Sequence, residues 1–211
     1  YALMADVPSL ILPDKTYYQA GNPAAGALLK IYSEMLQAIL KTAGYSESFI
    51  KKTIDNTLAF DRLLVPHVKD STERADYVKA YNKYSLVDFV ATSPAIDLKD
   101  YIIALINTLP DKVIVTEPKY YAALKKIVTE ENFEKMRSWI FAKTVISSTG
   151  LLSNELRIIG GKYSRAISGS KEPMNPQKSA YYLATGQFDQ VVGLYYAHKY
   201  FGPQAKADVT K

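Results

Sequence analysis

Apolar positions recur at helical spacing along most of the chain. Leu28, Tyr32, Met35, Leu36, Ile39 and Ala43 line one face of a predicted helix. Asn22 fits its N-cap, Pro23 its first position and Gly44 its stop. A second stripe starts after Ser46, with Phe49, Ile50, Thr53, Ile54 and Leu58 in line and Asp61 at its far end. Glu47 suits the positive end of that helix, and Pro66 stops it. Asp70–Glu73 and Ser85–Asp88 resemble capping boxes before two short helices. Asp97 opens another, with Leu98, Ile102, Leu105 and Leu109 in register. Thr129 opens the longest helical stretch, which reaches toward Ile159. At a rise of about 1.5 Å per residue, a straight helix of about 30 residues spans ~45 Å. That exceeds what a small core needs, so a break is predicted near Ser148–Gly150. Asn175 and Pro176 open a final pair of helices over 177–186 and 187–201, with Gly202 as their stop.

One segment departs from this pattern. Residues 111–115, DKVIV, form a short β-branched run, and TEPKYYAALKKIV follows at 116–128. Thr116 fits a helix cap and Pro118 a first turn, with Tyr121, Leu124, Ile127 and Val128 facing inward. GGKYSRAISGSKEPMNP, from Gly160 to Pro176, reads as turns around a short helical piece. The pattern predicts an all-α fold, an irregular lobe of eight or nine helices with at most one short strand-like segment. Three parts are expected. Residues 1–23 form an extended lead-in, 24–175 a helical lobe and 176–211 helices leading away from it.

Composition narrows the classes of function. The 211 residues are 48% hydrophobic and 22% charged, and no apolar run approaches the roughly 18 residues of a membrane span. The absence of cysteine excludes disulfides, a thiol nucleophile and thiolate metal sites. It suits a reducing compartment, and a cytoplasmic location is expected. The net charge of +5 is spread as Lys-Lys pairs among acids, with no basic stripe or reader motif, so nucleic acid is not an expected partner. Tyr1 begins the chain without a signal-peptide pattern, and the last residues read as the first turns of an uncapped helix. The chain is therefore expected to be a piece of a longer protein.

The motifs that carry chemistry fail one by one. His67 and His198 are the histidines, far from the i, i+4 spacing with which one helix face presents two imidazoles to zinc. Gly160-Gly-Lys162 lacks the upstream glycine and following Ser or Thr of a phosphate loop, and Tyr163 follows the lysine. Ser48–Lys51 and Ser168–Lys171 match the S-x-x-K spacing, but no Lys-Thr-Gly partner exists. Glu130 and Glu131 fall where a helix dipole explains them. The 17 tyrosines cluster in pairs, which suits packing with a polar tip left for a partner. No catalytic, cofactor-binding or metal residue is assigned.

Taken together, LILPDKTYYQAGN, AFDRLL, DKVIVTEPKYYAAL, RAISGSKEPM and AYYLATGQFDQVVGLYYAHKYFGPQAKADV form an ordered set. The set resembles the bacterial branch of the neprilysin-like zinc metalloendopeptidases, the oligopeptidases of lactic-acid bacteria in particular. The resemblance implies a parent of two lobes enclosing a chamber, with zinc as cofactor and short peptides as substrates. It also implies that the H-E-x-x-H pair, the further Glu ligand and the Asn-Ala-x-Tyr strand of the family would lie C-terminal to this chain. It implies that these residues form the non-catalytic helical lobe, which walls the chamber and restricts substrate size. The partner would be the missing C-terminal catalytic lobe, and this piece itself would be inactive and free of zinc. By the same analogy DKVIV is an extended connector. The alternative is a stand-alone helical module that binds proteins or peptides without catalysis.

Overall fold

The computed structural model describes residues 2–94 and 96–209, without the side chains of Lys206 and Val209. A strand β1 (Leu3–Ala5) leads through a 3-10 turn at Lys15–Tyr18 into α1 (Pro23–Thr42) and α2 (Glu47–Leu64). Next come α3 (Ser71–Arg74), β2 (Asn82–Ser85), α4 (Leu86–Ala91) and α5 (Leu98–Ile106). Strand β3 (Lys112–Val115) then precedes α6 (Pro118–Ile127), α7 (Glu130–Ser148), α8 (Asn154–Gly160) and α9 (Lys162–Ser168). The chain continues through α10 (Pro176–Gln187), α11 (Asp189–Tyr200) and α12 (Pro203–Val209).

The helical reading holds, and the caps explain why. Asn22 accepts from the Ala24 amide and Ser46 from the Phe49 amide, so both long helices start where the sequence places them. Asp70 and Glu73 form the predicted reciprocal capping box. Long helix α7 ends at Ser148, and a 3-10 turn over Thr149–Leu151 makes the expected break before α8. Helix α5 stops earlier than its apolar spacing suggests. Asn107 adopts a left-handed conformation at φ 55° and closes it at Ile106, which leaves Leu109 outside the helix.

Two strands were not legible. DKVIV does not run free as a connector but supplies the middle strand of a three-stranded sheet ordered β1-β3-β2. Leu3 to Ala5 pair parallel with Val113 to Val115, and Asn82 to Ser85 pair antiparallel with the same strand. Val113, Ile114 and Val115 are all buried, which is the continuous apolar run of a covered strand. The edge strands, Leu-Met-Ala and Asn-Lys-Tyr-Ser, are too short or too polar to carry a strand pattern. Thr116 is also diverted from its predicted role. Its hydroxyl donates to Asp6 Oδ1 at 2.5 Å, and Glu117 takes the cap position of α6 instead.

The residues through Gly169 form one compact unit, and those from Ser170 form a second. In the first unit, one core lies on the sheet, where Phe89, Leu98, Ile102, Tyr121 and Leu124 cover Val113 and Val115. Another joins Tyr32, Met35, Leu36, Ile39 and Leu40 of α1 to Ile50 of α2 and Ala142 of α7. A third sets Phe60 and Leu64 of α2 against Ala123, Ile127 and Trp139. The second unit contains α10 to α12. Neither α10 nor α11 has a fully buried residue, and their tyrosines lie open.

Candidate functional site

Several of the chemical candidates in the sequence have a structural use. His67 sits half-buried in a 3-10 turn. Burial first, then Lys119 and Lys126, hold its pKa below the usual histidine value. His198 is exposed on α11, in the other compact unit. Gly160 and Gly161 form the junction of α8 and α9 rather than a phosphate cradle. A Cβ at Gly160 would stand 2.0 Å from Thr149 Oγ1 and 2.6 Å from Thr149 Cβ, so the glycine permits a close approach. Lys162 pairs with Glu34 at 2.9 Å. Lys51 pairs with Asp55 at 2.6 Å, and the Ser168 hydroxyl donates to the Arg165 carbonyl at 3.3 Å. Neither S-x-x-K pair is an activated nucleophile. Glu130 and Glu131 are exposed in the first turn of α7, as the dipole argument expects.

Two buried carboxylates organise the polar interior instead. Asp61, read from the sequence only as the last position of a stripe, is 1% exposed. Its Oδ1 accepts from the Ile11 amide at 3.0 Å and the Trp139 indole at 3.2 Å. Its Oδ2 accepts from the Tyr18 hydroxyl, which itself accepts from the Leu12 amide at 3.0 Å. Burial pushes the Asp61 pKa up, while its hydrogen bonds and the nearby Lys143 pull the other way. Lys143 donates to the Ser9 carbonyl at 2.7 Å and lies 5.0 Å from the Trp139 ring centroid. Tyr163 adds a bond to the Ile11 carbonyl at 2.6 Å. The otherwise irregular segment 9–18 is thus tied to α2, α7 and α9.

Glu117 does the same work at the sheet. It is 3% exposed and accepts from the Lys69 amide at 2.6 Å and Arg74 Nε at 2.9 Å. The Lys69 ammonium donates to the Thr116 and Lys79 carbonyls at 3.0 and 3.1 Å. Nothing local signals this role, because a Glu in the second place of Thr-Glu-Pro reads equally well as helix-start polarity. Among the described residues, no group of three or more His, Asp or Glu side chains gathers as a metal set. A zinc site does not fit what these residues present.

Fold and polar anchors together define a helical scaffold domain carrying a small mixed sheet. A family model described as Peptidase family M13, for the N-terminal part, matches residues 1–211, and the chain belongs to that family. It is similar to the neutral endopeptidase of Lactococcus lactis subsp. lactis (strain IL1403), 37% identical over 211 residues, 100% of this chain and 33% of that protein. It is also similar to the neutral endopeptidase of Lactobacillus helveticus, 35% identical over 202 residues, 96% of this chain and 31% of that protein. The crystal structure of PepO from Lactobacillus rhamnosis HN001 superposes with a TM-score of 0.89 at 29% identity, over 98% of this chain and 33% of that one. The chain spans about a third of the length of these relatives.

Proposed function

We propose that the parent protein is a zinc-dependent endopeptidase acting on short peptides, and that residues 1–211 form its non-catalytic helical lobe. The observation that carries this reading is the match to peptidase family M13 along the whole chain, at a third of the length of its relatives. His67 and His198 cannot make an H-E-x-x-H helix, and the described residues offer no metal set. The reading therefore places zinc in the rest of the parent and assigns no bond-breaking step to this chain.

The second compact unit supports a covalently linked partner. Tyr181, Phe188, Val191, Leu194, Tyr195 and Tyr200 are each 60–64% exposed, apolar or aromatic surface that water disfavours unless it is covered. We assign that cover to the C-terminal catalytic lobe of the same chain, with residues 176–211 as the helices that lead to it. The lobe then walls a chamber, admits short peptides and turns away folded proteins, in a cytoplasmic enzyme. The test is hydrolysis by the full-length protein of a short peptide against a folded protein containing the same cleavable sequence. The proposal expects cleavage of the peptide and sparing of the folded substrate. A stand-alone binding module, the alternative, expects cleavage of neither.

A further inference from the structure

A recess of about 360 Å3 lies where the exit of β1, the approach to α3 and the turn between β3 and α6 come together. Its polar lining residues are Asp6, Ser9, Lys69, Arg74, Thr116 and Glu117. Two cations stand against two carboxylates, so overall charge selects no ligand here. The hydrogen-bonding positions left open do.

Both oxygens of Glu117 are occupied, by the Lys69 amide and by Arg74 Nε. The two terminal nitrogens of Arg74 make no hydrogen bond among the described residues. The Lys69 ammonium has three N–H donors and gives two of them to the Thr116 and Lys79 carbonyls. Asp6 Oδ1 accepts from the Val7 amide at 2.8 Å and the Thr116 hydroxyl at 2.5 Å. Asp6 Oδ2 accepts from no donor among the described residues. The recess therefore offers a guanidinium fork, one further cationic N–H and one carboxylate oxygen in want of a proton.

A tetrahedral oxyanion that keeps a proton answers all of these at once. Two of its oxygens fit the Arg74 fork, a third meets Lys69, and its O–H donates to Asp6 Oδ2. A carboxylate has two oxygens and no proton to give. Sulfate turns a bare oxygen toward Asp6, which leaves two acceptors facing each other. We propose that this recess binds inorganic phosphate in its protonated forms. The site rests on these residues alone and not on the peptidase reading.

The full-length protein is titrated by calorimetry at about pH 8 with inorganic phosphate, sulfate and glycerol phosphate. Inorganic phosphate still carries a proton there, whereas a monoester, with its last pKa at about 6, carries none. Phosphate is expected to bind at least about tenfold tighter than either of the others, the scale of one hydrogen bond to a charged group. R74K keeps the charge, loses the fork and is expected to weaken phosphate at least about tenfold. D6N keeps an acceptor for Val7 and Thr116 and turns an amide N–H toward the recess. It is expected to raise sulfate binding until the preference for phosphate is gone, a gain that a merely damaged fold does not produce. Phosphate held at a metal elsewhere in the parent is indifferent to both substitutions. Binding of none of the three, equal binding of phosphate with sulfate or with the monoester, or a phosphate preference that survives D6N overturns the proposal.

Discussion

Asp61 shows how one side chain can hold a segment whose regular structure is limited to a single 3-10 turn. Three donors from Ile11, Tyr18 and Trp139 converge on it, so its loss leaves buried N–H and O–H groups without acceptors. D61A is expected to lower unfolding free energy by about 2–3 kcal/mol, read from urea denaturation. D61N keeps an acceptor oxygen for two of those donors and sheds a buried charge, so it is expected to cost less. His67 gives the complementary pH signature. Its pKa is depressed in the folded state, so the unfolded chain binds the extra proton first as pH falls. Its contribution is a stability that rises with pH through the window just below the unfolded histidine value and is lost as pH falls through it. H67Q is expected to flatten the slope of unfolding free energy between about pH 5.5 and 7. A reversed slope in the wild type that H67Q removes would contradict the assignment. At this scale the sequence was partly legible. The helical period put Asp61 on an inward stripe, but nothing local announced its partners, which come from 43 to 78 residues away.

Among the elements, long helices were legible because they carry their own signals. Asn22, Ser46, Asp70, Ser85 and Thr129 all accept amide bonds as predicted. The sheet was half legible, since only β3 is buried on both faces and so reads as an apolar run. Its neighbours owe their extended form to pairing with β3, which is tertiary information. The α8–α9 junction was legible as a glycine device, but its cause lies in Thr149, buried in the preceding 3-10 turn. G160A forces a Cβ into the Thr149 side chain and is expected to destabilise by about 1–3 kcal/mol, as overpacking does. T149A removes the Oγ1 and Cγ2 contacts but leaves its own Cβ at 2.6 Å, so the double mutant is expected to recover part of the loss. Full additivity in that double-mutant cycle would remove steric contact as the cause.

Across the whole molecule, family membership was legible because weak likeness accumulates over ordered segments from residue 10 to residue 209, whereas none of the short motifs tested for chemistry is complete in the sequence. The two compact units also differ in what they can sustain alone. Residues through Gly169 carry three apolar clusters, while α10 and α11 bury no residue fully. Limited proteolysis of the isolated 1–211 chain is expected to remove residues 170–211 first and leave a resistant core ending near Gly169. Equal resistance throughout would show that the second unit is stable without cover. The account stands most directly on the metal dependence of the parent. Full-length protein is assayed on a short peptide before chelation, after chelation and after zinc is restored. Loss of hydrolysis on chelation and its return with zinc are expected, while the separated 1–211 chain retains no stoichiometric zinc and cleaves nothing. Undiminished hydrolysis in excess chelator, or hydrolysis by residues 1–211 alone, would contradict it.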